Sequence, residues 1–322
     1  MARLVVDPRR PDPSALDRAA ALLRAGQLVA FPTETVYGLG AHALDADAVR
    51  RIYDAKGRPP HNPVIVHVAD ADAARALVTR WPESAARLAR AFWPGPLTLV
   101  LPKVAAVPDV ATAGLPAVGV RVPAHPVALA LLRAAGIPVA APSANRFTEL
   151  SPTSAAHVER TLGERVPLIL DGGPASVGIE STVVDCTGPR PRVLRPGVIG
   201  LYELEAVAGP FDVARVSASG QEPRLSPGMI DRHYAPRARV VVAGGDDAAG
   251  TVVGIVAMTR AFPLAGDVAV LMPAEPRAYA ARLYATLHDL DDEGCSVVIV
   301  ERPPTTAAWA GVTDRLTRAA TP

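Results

Sequence analysis

The sequence of 322 residues is short of cysteine, lysine and asparagine, with two of each. Cys186 and Cys295 belong to no CxxC pair and have no histidine beside them, which argues against a disulfide scaffold and against a zinc site. The 33 basic residues are almost balanced by 32 acidic ones, for a net charge of +1. That balance disfavours a strongly basic nucleic-acid-binding domain, although a local basic patch stays compatible with it.

Long apolar runs are also missing. No stretch approaches the roughly 20 uncharged apolar residues that span a bilayer, and the residues after Met1, ARLVVDPRRPDP, lack the apolar core of a signal peptide. With 49% apolar residues, the chain can bury one large core or two smaller ones. We therefore expect a soluble, cytoplasmic globular protein with no membrane partner.

Short apolar runs follow one another through the first two thirds of the chain, with few helical patterns between the later ones. Regular βαβ winding needs a helix in every gap, so the sequence predicts a twisted, mixed α+β sheet domain over residues 1–205. The runs are QLVAFPT, PVIVHV, LTLVLP, AVGVRV, PVAAP, PLILD, STVVD and RVLRP.

The pattern changes after that domain. Residues 206–237 are rich in glycine, proline and serine and carry no apolar period, which predicts a linker or a functional loop. Beyond them, RVVVAGG, VGIVAM, VAVLMP and CSVVIV accompany a helical pattern at residues 276–294. Parallel strands covered by helices are expected there, in a small α/β domain over residues 238–322.

The rare lysine and asparagine mark a first candidate site, in AKGRPPHNPVIVH. All basic residues except Lys56 and Lys103 are arginine. A lysine in a chain that otherwise uses arginine suggests a site that needs a compact point charge, which a guanidinium cannot replace. Lys56 and Arg58 flank a glycine, and we expect both to be exposed, catalytic cations in a cavity. The sequence has no P-loop motif, so these side-chain charges would bind a phosphate directly. The alternative is a solvated pair that complements a helix dipole.

Further polar residues follow other strand candidates. Arg121 lies within AVGVRVP, where a buried arginine needs an anionic partner and none is near in sequence. Ser143 and Asn145 end a strand, and LSPTS begins a helix whose amides could receive a phosphate. No Ser-His-Asp order, reactive cysteine or carboxylate pair stands out, so we expect a site that binds and positions its substrates.

The motifs PTETVYGLG, AKGRPxxNPVIVH, APSAN, SPT, GIESTVVD, LRPG and PGMxxRHYAP occur in this order. Together they resemble the threonylcarbamoyl-AMP synthase family in its long, two-domain form. The resemblance implies a YrdC-like catalytic domain followed by a small Rossmann-like domain. The implied reaction joins L-threonine, bicarbonate or CO2, and ATP into threonylcarbamoyl-adenylate, with release of pyrophosphate. A threonylcarbamoyl transferase complex would take the product to tRNA, which the chain itself would contact only indirectly or weakly.

The resemblance also implies roles for individual residues. The threonine side would comprise Thr35, His67, Arg121 and Ser181, with Arg121 paired to the threonine carboxylate. The ATP side would comprise Lys56, Arg58, Asn62, Ser143, Asn145, Ser151, Arg195 and Tyr234. Mg²⁺ would accompany the triphosphate, and no protein-held metal is expected.

Two segments depart from the family pattern. The loop RFTELSPT carries Arg146 and Glu149 where small residues are usual, and in the linker Ile230 and Asp231 replace a basic and an aromatic residue. Arg232, His233 and Tyr234 remain, and we expect the linker to fold over the cavity as a lid. Two alternatives stay open: a carbamoyltransferase that forms carbamoyl-adenylate, and a non-catalytic RNA-binding module.

Overall fold

The structure is a computed structural model that describes residues 1–212, 233–243, 253–258 and 267–321. Within those residues the strands form two sheets, one of ten strands and one of four. None of the described helices has the length and apolar character that crossing a bilayer requires.

The larger sheet is built from the first part of the chain. Its strands are β1 (Ala2–Val5), β2 (Val29–Phe31), β3 (Gly38–His42), β4 (Ile65–His67), β5 (Leu97–Pro102), β6 (Ala117–Arg121), β7 (Val139–Ala140), β8 (Leu168–Asp171), β9 (Thr182–Asp185) and β10 (Arg192–Arg195). Their order is β1-β8-β2-β3-β7-β4-β6-β5-β9-β10. The sheet contains both parallel pairs, such as β4–β6, and antiparallel pairs, such as β5–β6, which confirms the mixed sheet expected from the sequence.

Helices cover this sheet. They are α1 (Pro13–Arg24), α2 (Ala46–Lys56), α3 (Ala71–Arg75), α4 (Glu83–Phe92), α5 (Asp109–Thr112), α6 (Pro126–Ala135), α7 (Ala155–Leu162) and α8 (Leu201–Ala208). Helix α2 begins after Asp45, whose carboxylate accepts hydrogen bonds from two backbone amides of the first turn, and ends at Gly57 with φ +62°. Only glycine takes that conformation without strain, so the chain turns sharply there and Arg58 leaves the helix axis.

The smaller sheet is parallel, as the sequence predicts. Its strands are β11 (Arg239–Ala243), β12 (Val253–Ala257), β13 (Val268–Leu271) and β14 (Val297–Glu301), in the order β11-β14-β12-β13. Helices α9 (Pro276–Asp292) and α10 (Ala310–Ala320) accompany it. The domain limits at residues 205 and 238 stay a prediction. Helix α8 crosses the first limit, and residues 213–232 of the predicted lid lie outside the described residues.

The hydrophobic core of the second part includes residues from loops of the first part. Val36, Leu150 and Ile179 of the first part cluster with side chains of α9 and α10. Close backbone approach allows this packing, since a Cβ atom on Gly178 would lie 2.3 Å from the carbonyl oxygen of Ala280 in α9. A Cβ atom on Gly311 in α10 would lie 2.6 Å from the carbonyl oxygen of Gly197. The second part therefore packs directly on the loops that lead into β9 and out of β10.

Candidate active site

Polar residues gather in a cavity at the ends of several strands of the larger sheet. Parallel strands β4 and β6 end together, so that His67 and Arg121 are register partners. The cavity has a volume of about 50 Å³. Eight of the residues predicted from the sequence line it, namely Thr35, Arg58, His67, Arg121, Ser143, Ser181, Arg195 and Tyr234.

Arg121 has a protein partner that the sequence did not reveal. Its Nη2 lies 2.6 Å from Oε1 of Glu34, and both side chains are buried. Its Nε donates to the carbonyl oxygen of Gly95 at 3.2 Å, and the other carboxylate oxygen of Glu34 accepts from the amide of Ala124 at 3.0 Å. No anion is near Arg121 in sequence, as noted above, and its partner Glu34 comes from a segment 87 residues away. The ion pair fixes the guanidinium at the cavity wall.

Hydroxyl groups and a neutral imidazole lie around this guanidinium. Thr33 Oγ1 and Thr35 Oγ1 are 2.8 Å apart, as are Thr98 Oγ1 and Ser181 Oγ. Burial, with a smaller contribution from the charge of Arg121, lowers the pKa of His67 to about 3. His67 is therefore neutral at physiological pH, and its Nδ1 is buried with no hydrogen-bond partner among the described residues.

Lys56 and Arg58 differ from the expectation of exposed cations, since they are 3% and 7% exposed. Lys56 Nζ donates to the carbonyl oxygens of Ser143 at 2.6 Å and Asn145 at 2.5 Å. Burial, and next the charge of Arg58, holds the pKa of Lys56 well below its ordinary value. Lys56 thus shapes the loop at residues 143–145, whereas Arg58 itself lines the cavity.

Arg58 is held by the chain that follows it. Its Nε donates to the carbonyl oxygen of Asn62 at 3.1 Å and its Nη2 to that of Pro63 at 2.7 Å. Burial lowers the pKa of Arg58 to about 10, so the guanidinium keeps its charge at neutral pH.

The remaining predicted residues, Asn62, Asn145 and Ser151, are buried beside the cavity and do not line it. Asn62 Nδ2 and Asn145 Oδ1 have no hydrogen-bond partner among the described residues. Unpaired buried amide atoms are costly, which makes them candidates for ligand contact after a small rearrangement. Ser151 Oγ donates to Glu180, so its proton already has an acceptor.

Arg195 and Tyr234 close the cavity on the side of the second sheet. Arg195 donates from Nε at 3.2 Å and from Nη2 at 3.0 Å to the carbonyl oxygen of Ser181, and its Nη1 is 3.3 Å from Tyr234 Oη. Tyr234 has φ +62°, which is rare for a bulky residue and requires support from its surroundings. Both ring nitrogens of His233 are buried and have no hydrogen-bond partner within the described part of the chain.

Sequence reasoning missed two carboxylates, Glu34 and Glu180. Glu180 lines the cavity and lies 2.7 Å from Arg315 Nε in α10. Their position inside the hydroxyl-rich motifs PTET and IEST is the signal that could have found them. Each carboxylate is already bound to an arginine, and among the described residues no group of three or more histidine, cysteine or acidic side chains could hold a metal. Within the described part of the chain, these two carboxylates are therefore engaged by arginine and are not free to hold a metal ion.

Two family models together match almost the whole chain. The one described as "Telomere recombination" matches residues 21–197, and the one described as "Threonylcarbamoyl-AMP synthase, C-terminal domain" matches residues 199–321. The chain belongs to the threonylcarbamoyl-AMP synthase family. This confirms the resemblance noted in the sequence and the expectation of an enzyme of the nucleotidyltransferase type.

Individual members of the family show how far the similarity extends. The threonylcarbamoyl-AMP synthase of Bacillus subtilis is 43% identical over 318 residues, which cover 94% of this chain and 92% of that protein. The synthase of Pyrococcus abyssi is 51% identical over 228 residues, covering 70% of this chain and 67% of that protein. The crystal structure of P. abyssi Sua5 complexed with L-threonine aligns with a TM-score of 0.92 at 40% identity, covering 99% of this chain and 98% of that one.

Proposed function

We propose that the chain makes threonylcarbamoyl-AMP and pyrophosphate from L-threonine, bicarbonate and ATP in the cavity described above. The observation that carries the proposal is the wall formed by Arg121, His67, Thr35 and Ser181, where a fixed guanidinium lies among hydroxyls and a neutral imidazole. Such a wall suits a small zwitterion that bears a carboxylate and a hydroxyl group. The P. abyssi relative, whose fold is closely similar, was solved in complex with L-threonine.

Arg121 is the proposed partner of the threonine carboxylate. Nη2 of the Arg121 guanidinium already donates a hydrogen bond to Glu34, which orients the side chain. Because the guanidinium is already held in place, its side chain loses little conformational entropy when a substrate carboxylate binds to it from the cavity. Neutral His67 adds no competing charge to this subsite.

The chemistry needs alignment more than a protein nucleophile. The threonine amine and bicarbonate give a carbamate with loss of water. A carbamate oxygen then attacks the α-phosphorus of ATP, and the bond from that phosphorus to the bridging oxygen breaks as pyrophosphate leaves. Arg58 and Arg195 line the cavity and offer positive charge to the phosphates. Lys56 would act indirectly in this scheme, by holding the loop of Ser143 and Asn145.

Mg²⁺ is proposed to enter with ATP, held by phosphate oxygens rather than by protein carboxylates, since Glu34 and Glu180 are both paired to arginine. The product is proposed to pass to a threonylcarbamoyl transferase complex, with tRNA contacted indirectly or weakly. The neutral composition supports this limited role for tRNA.

The lid remains part of the proposal. A cavity of about 50 Å³ is far smaller than the roughly 300 Å³ or more that pockets for ligands of this size enclose. His233 and Tyr234 form part of its wall, so displacing their segment would open the space that ATP needs. Arg232, which the sequence places in the same motif, lies outside the described residues.

Pyrophosphate release from ATP tests the function directly. We expect release by the full-length protein to require both L-threonine and bicarbonate. Release with carbamoyl phosphate in place of those two substrates would favour a carbamoyltransferase. Tight binding of tRNA that falls steeply with salt, without ATP turnover, would favour an RNA-binding module.

A further inference from the structure

A buried arginine of the second sheet's domain reaches the wall of the cavity. Arg315 in α10 is fully buried, and its Nε lies 2.7 Å from Oε2 of Glu180. Its Nη2 donates to the carbonyl oxygen of Glu180 at 3.3 Å and its Nη1 to that of Pro196 at 3.0 Å. One guanidinium thus holds both Glu180, which precedes Ser181 and β9, and Pro196, which follows Arg195 at the end of β10.

The same arginine supports the lid residue Tyr234. The guanidinium carbon of Arg315 lies 5.1 Å from the centroid of the Tyr234 ring, within the range of a cation–π contact. The ring of Tyr284 in α9 packs on Tyr234 as well, with centroids 5.9 Å apart. Tyr234 carries an unfavourable positive φ, and these contacts help to hold it there.

Glu180 passes this restraint on to Ser151. Its Oε1 accepts a hydrogen bond from Ser151 Oγ, and its Oε2 accepts from Tyr284 Oη at 3.1 Å as well as from Arg315. The carboxylate is therefore fixed from three elements at once. A fixed carboxylate fixes in turn the hydroxyl of Ser151, which the family resemblance assigns to the ATP side.

We propose that Arg315 is a positioning residue for the ATP side of the cavity, which fixes Glu180 and Ser151 through its guanidinium and supports the ring of Tyr234. The proposal rests on the proposed function, because it assigns that side of the cavity to ATP. It gives the second sheet's domain a share in the site, through a residue that lies outside the cavity lining.

Substitution of Arg315 in the full-length protein tests the proposal. We expect Arg315→Met to raise the KM for ATP about tenfold or more, since a displacement of about 1 Å can cost that much, while the KM for threonine changes far less. The KM for ATP of Arg315→Lys should lie between those of wild type and Arg315→Met, because lysine keeps the positive charge but lacks the forked guanidinium that donates to several acceptors at once. Equal changes in both KM values, or no change in either, would overturn the proposal.

Arg277→Met is the matched control. Arg277 in α9 also joins the two parts of the chain, through an ion pair of 2.7 Å with Glu203 in α8, but it is well exposed and remote from the cavity. Its loss should leave both KM values near those of wild type. If Arg277→Met raises the KM for ATP as much as Arg315→Met does, general loosening of the interface explains the effect and the proposal fails.

The pH profile supplies a readout that a purely structural role would not move. Burial raises the pKa of Glu180, but the charges of Arg315 and Arg195 and hydrogen bonds from Ser151 and Arg315 outweigh it, so that the pKa lies below its ordinary value. Other groups that face this region are Asp314 from α10, which lies 2.6 Å from Nη1 of Arg315, Tyr284 from α9, Lys56 from α2, and Tyr234. Without Arg315 the pKa of Glu180 should rise, so on acidification Arg315→Met should lose activity at a higher pH than wild type does. Parallel pH profiles of activity for Arg315→Met and wild type would overturn the proposal.

The double variant Arg315→Met/Glu180→Gln guards against a single variant that fails to fold. Neutralising both members of a buried ion pair is better tolerated than removing one. We expect the double variant to fold and to have a higher KM for ATP than wild type. The pH profile of its activity should be as flat as that of wild type. A wild-type KM for ATP in the double variant would show that the ion pair only joins the domains.

Direct ATP binding separates this proposal from the proposed function. Calorimetric titration with ATP in the absence of threonine needs no turnover. Weaker binding by Arg315→Met than by Arg277→Met supports the positioning role, and equal binding overturns it. Failure of the wild-type protein to release pyrophosphate with all substrates present would instead contradict the proposed reaction.

Discussion

At the scale of the residue, strand-end side chains were predictable and their partners were not. His67 and Arg121 end the parallel strands β4 and β6 at the same edge of the sheet, and Thr35 follows β2, so apolar runs in the sequence pointed to all three residues. The burial of Lys56 could not, because its acceptors lie 87 and 89 residues further along the chain. Arg315 reaches Glu180 across 135 residues, and no local pattern announces such a contact.

Arg121→Lys tests the threonine side. The substitution replaces the guanidinium that Glu34 orients with an ammonium group. The proposed bidentate contact with the threonine carboxylate would then become a single contact. We expect the KM for threonine to rise about tenfold or more, with a much smaller change in the KM for ATP. Steady-state kinetics with each substrate varied in turn would show this. Equal effects on both substrates would remove Arg121 from its assigned role.

Lys56 and Arg58 should now behave differently from each other. Lys56→Ala leaves two backbone carbonyls without their donor, so it should lower the melting temperature and reduce pyrophosphate release together. Arg58→Lys keeps a cation at the cavity wall and should weaken mainly the use of ATP, with a smaller change in melting temperature. Comparison of melting curves and kinetics separates the two roles. A fully stable Lys56→Ala protein would show that the buried ammonium does not shape the loop.

At the scale of the element, helix α9 lies so close to the loop before β9 that only glycine fits at residue 178. Gly178→Ala would place a methyl group 2.3 Å from the carbonyl oxygen of Ala280. Gly114→Ala is the control, since Gly114 has a similar φ of +78° and nothing within 4 Å of the added carbon. Gly178→Ala should lower the melting temperature clearly more than Gly114→Ala does. Equal losses would mean that backbone strain alone accounts for both.

A histidine pair between α7 and α9 should make this contact sensitive to acid. The rings of His157 and His288 lie 3.9 Å apart, with Arg160, Arg237 and Asp292 around them. Burial is the main reason that the pKa of His157 falls to about 3 and that of His288 to about 4. Both values lie below the unfolded value near 6.5, so the unfolded chain binds more protons in between. The stability they support is complete above about pH 6.5 and is lost as pH falls towards about 4.

Melting temperatures across that pH range test this expectation. The double variant His157→Gln/His288→Gln should lose less stability on acidification than wild type does, even if it starts from a lower melting temperature. His61→Gln is a suitable control, because His61 is exposed and its loss should leave the slope unchanged. An identical slope in all three proteins would show that the pair does not govern the acid response.

At the scale of the whole molecule, the part of the chain that follows the predicted linker contributes both to the cavity wall and to the contacts behind it. Helices α9 and α10 bring Tyr284 and Arg315 to Glu180, and the segment that leads into β11 brings His233 and Tyr234 to the cavity wall. The composition of the sequence predicted the linker, but it could not show that Tyr234 contacts both Arg195 and the ring of Tyr284. The contacts of Glu180 with Tyr284 and Arg315 join residues 104 and 135 positions apart, which no local pattern reveals.

Truncation should therefore separate binding from product formation. The cut is best placed after Asp212, because α8 runs past the predicted domain limit at residue 205 and Leu204 packs in the hydrophobic core of the larger sheet. A chain that ends there loses the lid, so water can reach the labile adenylate, and we expect it to retain measurable ATP binding while it accumulates little threonylcarbamoyl-AMP. In the full-length chain Tyr234→Ala should reproduce part of that loss, whereas Tyr234→Phe, which keeps the ring that packs on Arg315, should lose less. Product accumulation at the full-length rate by the truncated chain would reduce the linker to a tether and leave the residues of the larger sheet sufficient for the reaction.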